Sequence, residues 1–313
     1  MPEWNILIAD SLSESGLSLL AAEARVDDCP EISQQELLER IDSYDALIVR
    51  SRTRVTAEVF AAGRRLKVVG RAGVGVDNID LAAANLHNVT VVNTPLATTE
   101  AVAEHTIALM LALARGVPAA DRSMKSGLWP KKEYLGIEIR GRVLGLIGMG
   151  NIGSRVAQLA RALGMTILGY DPLIPADQIR KNGAEPVSLP ELYARSDFVS
   201  LHVPLAPETR GMIDGQALGY MRRGVHLICT ARGGLIDETA LLGALESGQV
   251  AGAALDVFAS EPPGLSALVS HPRVIATPHI AAQTIEAQER AAIDIAKEVL
   301  TALRGEPLRW KVV

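Results

Sequence analysis

VLGLIGMGNIGSRVAQLARALGMTILGYD, residues 143–171, decides the fold of this chain. An apolar run from Val143 to Ile147 enters the turn Gly148-Met149-Gly150-Asn151-Ile152-Gly153; a helical pattern follows, and a second apolar run, Met165 to Tyr170, closes on Asp171. Strand, glycine turn, helix and acid-ended strand make a dinucleotide-binding fingerprint. The first glycine allows the tight turn, the second lets backbone approach a pyrophosphate, and the third lets helix and strand pack closely. N–H groups of the helix N-terminus then face the phosphates. Asp171 stands about 20 residues on, where a carboxylate meets an adenosine ribose 2′-hydroxyl and repels a 2′-phosphate, so the cofactor expected is NAD.

A second glycine pair, Gly73-Val74-Gly75 in GVGVDN (73–78), lacks that context. Position 78 is Asn, and no acid-ended strand follows. Around the fingerprint, 313 residues exceed a usual single core, so two domains are expected. The composition, 48% hydrophobic with only 4% aromatic, suits parallel sheets of small aliphatic side chains covered by helices. A net charge of −5 with both signs interspersed gives no basic stripe for nucleic acid and no polybasic membrane patch. No apolar run reaches spanning length and the start, MPEWNILIADSLSES, has no basic-then-apolar signal, so a cytoplasmic protein is expected. Cys29 and Cys229 read as free thiols, Cys229 buried at a strand end, and the six histidines show no metal-ligand spacing, so no metal is expected.

The first hundred residues alternate strand signals (5–9, 45–49, 66–69, 89–93) with helical ones (13–22, 33–41, 56–62), and Ser33 with Glu36 reads as a capping box. No phosphate turn follows the first strand, so this unit is built like a nucleotide domain but carries something else. From Thr99 to about Met124 runs a helical segment, apolar around much of its circumference until Arg115, followed by a polar loop bearing Trp129, Lys131 and Lys132. After Asp171 the pattern is helix 188–195, strand 198–202, helix 215–221, strand 225–229, helix 238–247, and strands 251–257 and 274–276, enough to finish a doubly wound sheet. The amphipathic stretch 285–303 comes after that sheet and is expected to return to the first domain.

Three groups fall just after strand ends of the cofactor sheet, where open α/β sheets hold ligands: Arg232, Glu261 and His279. Redox chemistry on an acid needs a cation for the carboxylate, a base near neutral pH for the hydroxyl proton, and an orienter for that base. Arg232, His279 and Glu261 fit those roles in turn. Taken singly, each also fits a helix cap or ion pair, a carbonyl donor, or a loop acid. His202, with no acid near it in sequence, reads as structural.

The chain resembles the D-2-hydroxyacid dehydrogenase family, and within it the phosphoglycerate dehydrogenase branch. The marks are VGRAGVGVDNID (69–80), AEHTIALMLALAR (103–115), SMKSGLWPKK (123–132), GLIGMGNIG (145–153), GYDP (169–172), HVPL (202–205), ARGGLIDE (231–238), AGAALDVFASEPP (251–263) and PHIAA (278–282). The resemblance implies two doubly wound parallel-sheet domains, with a Rossmann cofactor domain (99–282) inserted into a flavodoxin-like substrate domain (1–98 and 283–313), a cleft between them, and a homodimer or tetramer. It implies NAD contacts at Gly148, Gly150, Asn151, Ile152, Gly153, Asp171, Val203, Pro204, Thr230, Ala231, Asp256, His279 and Ala281, with Asp256 receiving the nicotinamide carboxamide. For the substrate it implies Arg232, His279, the N–H groups of Val74 and Gly75 at the carboxylate, and Arg50 and Arg71 at a phosphate.

The implied reaction is NAD-dependent oxidation of 3-phosphoglycerate to 3-phosphohydroxypyruvate, or the reverse, in serine biosynthesis. The implied partner is a small anionic 2-hydroxy or 2-keto acid. Hydroxypyruvate or glyoxylate reduction, or oxidation of another anionic 2-hydroxy acid such as sulfolactate, remain alternatives; a non-catalytic NAD-sensing protein would not need Arg232, Glu261 and His279 together. The sequence departs from the branch pattern in the loop Leu96-Ala97-Thr98-Thr99, where a Gly-Asn pair is usual, at Lys131, where Arg is usual, and at Ala281, where Gly is common.

Overall fold

The computed structural model describes residues 4–313; the first three residues of the start quoted above lie outside it. The chain divides into two compact units, 1–98 with 282–313, and 99–281. Elements are numbered in chain order.

The first unit holds a five-stranded parallel sheet: β1 (Trp4–Ile8), β2 (Ala24–Asp28), β3 (Ala46–Val49), β4 (Val68–Arg71) and β5 (Thr90–Asn93), in the order β2-β1-β3-β4-β5. That is the doubly wound flavodoxin-like order. Helices α2 (Gln34–Arg40), α3 (Ala57–Ala62) and α4 (Leu81–Leu86) cover one face, while α1 (Glu14–Ala21) and α12 (Ile285–Leu303) cover the other. Helix α12 lies close on β4, because a Cβ at Gly70 would sit 2.6 Å from the Val299 side chain. Ile295, Val299 and Leu300 of α12 are buried there, at about 1.5–3 kcal/mol each. The last residues pair antiparallel with β5: the Val312 N–H donates to the Val91 carbonyl at 2.8 Å. Buried Glu298 holds this tail by accepting from the N–H groups of Arg309 and Trp310.

The second unit holds seven parallel strands: β6 (Val143–Ile147), β7 (Thr166–Tyr170), β8 (Glu185–Pro186), β9 (Phe198–Leu201), β10 (Val225–Cys229), β11 (Val250–Leu255) and β12 (Val274–Ala276). Their order, β12-β11-β10-β9-β6-β7-β8, is the Rossmann order with one added strand. Helices α5 (Thr99–Arg115), α7 (Asn151–Ala162) and α8 (Ala176–Lys181) pack on one face. On the other lie α9 (Leu189–Arg195), α10 (Gly215–Tyr220) and α11 (Glu238–Glu246). The order reverses between β9 and β6, and the crevice at their carboxyl ends is where such sheets take ligands.

Several local expectations change. The long helix from Thr99 to Met124 is two helices, because Gly116 turns left-handed at φ 62° and starts α6 (Val117–Lys125) afresh. β2, α4 and α8 carry weak sequence signals. β2 is a half-exposed edge strand reading ARVDD, so period-two alternation is blurred; α4 and α8 are single six-residue stretches, the former capped by Asp80 at 2.9 Å from the Ala83 N–H. The Ser33–Glu36 capping box forms as expected.

Candidate active site

Gly148 takes φ 95°, and a Cβ there would lie 2.6 Å from the His202 carbonyl oxygen. At Gly153 it would lie 2.0 Å from the Gly148 oxygen, so helix α7 could not start so near β6 with any larger residue. Gly150 differs, since its φ of −67° suits any residue and a Cβ would meet nothing of the protein within 4 Å. The protein gives no steric reason for glycine at 150, whereas a pyrophosphate drawn close to the backbone does. No side chain caps α7, so the N–H groups of Asn151, Ile152 and Gly153 remain for phosphate oxygens. Asp171 accepts from the Met149 N–H with one oxygen and from the Leu173 N–H with the other, both at 2.9 Å. Each oxygen keeps a lone pair for a ribose hydroxyl. The residues present therefore fit a dinucleotide, and specifically one without a 2′-phosphate.

Val203 packs against the glycine turn, 2.9 Å from the Cβ position of Gly148, and the Pro204 carbonyl accepts from the Thr209 hydroxyl at 2.7 Å. His202 lies partly buried beneath the turn, bonded to the Ser200 hydroxyl at 3.0 Å; desolvation pulls its pKa down to about 4, which agrees with a structural role.

His279 and Glu261 meet beyond the ends of β12 and β11. His279 Nδ1 lies 2.7 Å from Glu261 Oε2, the carboxylate being held in turn by the Phe258 N–H on Oε1 at 3.1 Å. With Nδ1–H donated to the carboxylate, neutral His279 presents a lone pair on Nε2, which has no protein partner among the described residues. His279 takes the left-handed conformation, φ 52°, and Asp256 makes it do so. The Asp256 carbonyl accepts the His279 N–H at 2.9 Å, and its carboxylate accepts those of Ile280 at 2.9 Å and Ala281 at 2.8 Å. Thr277 donates its hydroxyl to the same carboxylate at 2.5 Å, and His105 Nε2 stands 3.5 Å away. Burial alone would raise the Asp256 pKa; these donors outweigh it and hold the carboxyl below its ordinary value.

Arg232 follows β10 in a turn whose Gly233 lies against the Phe258 backbone, where a Cβ would come within 1.8 Å of the Phe258 oxygen. The arginine loop and the Glu261 loop are thus packed together. Arg232 Nη1 donates to the Ala231 carbonyl at 2.7 Å, and the Thr230 hydroxyl pairs with that of Thr106 at 2.9 Å. Sequence reasoning passed over His105, Thr106 and Thr277. The AEHTIA stretch reads as apolar helix, and only the fold brings His105 to Thr277 after β12 and Thr106 to Thr230 after β10.

In the first unit, Arg50 leaves the end of β3. Its guanidinium is half-buried, desolvation lowers its pKa, and no hydrogen bond or ion pair engages the side chain among the described residues. Arg71, at the end of β4, folds into the space left by Gly73, where a Cβ would lie 1.5 Å from Nη1. Gly73 has φ 141°, and the turn through Val74 and Gly75 is fixed by Asn93 Nδ2 donating to the Val74 carbonyl at 2.7 Å. Each substrate residue expected here lies at a carboxyl end of the five-stranded sheet.

Residues 107–281 match the family described as D-isomer specific 2-hydroxyacid dehydrogenase, NAD binding domain. The chain belongs to this family. D-3-phosphoglycerate dehydrogenase 2, chloroplastic, of Arabidopsis thaliana is 48% identical over 98% of this chain and 49% of its own length. The D-3-phosphoglycerate dehydrogenase of Methanocaldococcus jannaschii is 46% identical over 96% of this chain and 58% of its own length. The chain thus spans about half the length of the curated relatives it matches. Among solved structures of this 2-hydroxyacid dehydrogenase fold, a glyoxylate reductase from Paecilomyes thermophila superimposes with a TM-score of 0.92 at 32% identity, covering 100% of this chain and 99% of that one.

Proposed function

We propose that this family member is an NAD-dependent dehydrogenase that interconverts a D-2-hydroxy acid and its 2-keto acid, with 3-phosphoglycerate and 3-phosphohydroxypyruvate as the pair. The observation that carries the chemistry is His279 Nδ1 at 2.7 Å from Glu261, with Nε2 unengaged among the described residues. Bound NAD supplies a hydride acceptor at its nicotinamide ring. In oxidation, His279 Nε2 takes the C2 hydroxyl proton as the C2 hydrogen departs with its electron pair, and in reduction the protonated ring returns it. Glu261 stabilises the imidazolium that forms. Arg232 receives the substrate carboxylate in a two-pronged contact and polarises the C2 oxygen, which the rounder charge of a lysine would do less well. The N–H groups of Val74 and Gly75 add to carboxylate binding.

The phosphoglycerate assignment rests on Arg50, a half-buried guanidinium attracted by Asp10 but without a hydrogen bond or ion pair of its own among the described residues, together with the names of the relatives. Such a group costs desolvation that an incoming dianion returns. Asp256 orients His279 and keeps one lone pair on Oδ2 for a carboxamide N–H. Leu111, Val117, Met124, Leu128, Trp129 and Leu135 expose apolar surface along 111–135, which favours a homodimer.

The test is NADH oxidation with 3-phosphohydroxypyruvate, hydroxypyruvate and glyoxylate in parallel. The phosphorylated acid should give the highest kcat/KM, and preference for glyoxylate would reassign the substrate. His279→Asn should lower kcat by about 100-fold or more while NADH still binds by fluorescence titration, and unchanged turnover removes the histidine from the chemistry.

A further inference from the structure

Asp10, at the end of β1, is 4% exposed and has no part in the chemistry above. Its Oδ2 accepts the Arg50 N–H at 2.6 Å and the Thr53 N–H at 3.2 Å; its Oδ1 accepts the Thr53 hydroxyl at 2.7 Å and pairs with Arg52 Nε at 3.0 Å. All four donors come from one stretch, residues 50–53. Arg52 has three of its four remaining donors on the carbonyls of Ala9, Pro30 and Ile32, so it is committed to structure and is no second anion site.

The same stretch is gripped from its other side. Asn78 Nδ2 donates to the Arg50 carbonyl at 2.8 Å and the Thr53 carbonyl at 2.6 Å, and the Val55 N–H donates back to the Asn78 carbonyl at 2.8 Å. Asn78 closes the turn that begins at Gly73, and that turn is fixed at its start by the Thr94 N–H on the Gly73 carbonyl at 3.0 Å. The Arg50 loop and the glycine turn therefore move as one piece. A buried carboxylate is tolerated only when its lone pairs are met, and here the loop itself meets them.

We propose that Asp10 and Asn78 are positioning residues that hold the Arg50 guanidinium at a fixed span from the Val74–Gly75 N–H groups, and so select 2-hydroxy acids bearing a second anion at that span from the carboxylate. The inference deepens the proposed function and rests on its placing of Arg50 at a phosphate. Loosening either clamp leaves the charge of Arg50 intact and spreads its position, which weakens binding of the longer dianion more than of a short monoacid.

The experiment compares Asp10→Asn, Asn78→Ala and Arg50→Gln with the wild-type full chain, by steady-state NADH oxidation with 3-phosphohydroxypyruvate and with glyoxylate. Asp10→Asn and Asn78→Ala should each raise KM for the phosphorylated acid about tenfold, the effect of one charge-assisted or buried hydrogen bond, with kcat changed less than about threefold. For glyoxylate, kcat/KM should fall by less than about threefold, because no second anion needs placing. Equal losses on both substrates, or an unchanged KM, overturn the proposal. Should Asp10→Asn fail to fold by circular dichroism, Asn78→Ala, which leaves the buried carboxylate paired, carries the test alone. If Arg50→Gln itself leaves the ratio between substrates unaltered, the phosphate reading falls and the inference with it. If Arg50→Gln alters that ratio while neither clamp variant does, the positioning claim alone is lost.

Discussion

His202 and Asp256 illustrate how single residues under a binding surface are fixed by desolvation and by their donors. Burial holds His202 neutral with a pKa of about 4, while the unfolded chain takes up the same proton near the ordinary histidine value. Its contribution is therefore fully present above pH 6.5 and is lost as pH falls toward 4. Asp256, with its pKa lowered, acts in the same direction at more acid pH, where protonation would release its four donors. Urea unfolding at pH 7 and pH 5 should differ by about 2 kcal/mol more in the wild type than in His202→Gln. Equal slopes in both proteins would remove His202 from the linkage. At this scale the sequence singles out residues only where the proposed chemistry demands a residue type. Arg232, Glu261 and His279 stand out after strand ends, and two of them meet at 2.7 Å. Asp10, Asn78 and His105 were not readable, because an ordinary acid, amide or imidazole acquires its role only from the partners folding brings to it.

At the scale of elements, the strand–turn–helix–strand from Val143 to Asp171 forms with its boundaries nearly as the apolar periodicity predicts, and its three glycines separate into two kinds. Gly148 and Gly153 are required by the protein's own packing, whereas no contact among the described residues requires Gly150. Asp171 joins the two, since it braces the turn through Met149 and faces the cofactor's ribose in the proposed complex. Asp171→Ser should accordingly raise the ratio of kcat/KM with NADPH to that with NADH by about tenfold or more, the value of one hydrogen bond to an ionised group, measured with one keto acid held constant. An unaltered ratio would mean that the carboxylate serves only the turn. Short or edge elements escaped the sequence reading for a physical reason. β2 has one neighbour and polar residues, and α4 is too short for a periodic stripe to register. The break falls at Gly116, one residue past the Arg115 at which the apolar circumference ends, where the chain turns left-handed and starts a second helix.

For the molecule as a whole, the chain leaves its first sheet at residue 98, completes a second one, and returns at 282 to supply α12. The return was legible from order alone, since an amphipathic helix following a finished sheet has no face left there to bury. What order could not give is the last stretch, which carries no strand signal of its own yet lies along β5 through Val91, Asn93, Trp310 and Val312. That placement has a consequence for solubility. Without it, β5 would offer a bare row of amide and carbonyl groups, a template on which another molecule's backbone could build. Removing residues 308–313 should therefore leave the fold's circular dichroism intact while the protein gathers into soluble aggregates, seen by light scattering at rising concentration. Six residues of tail thus guard the rim of a domain some twenty times their length.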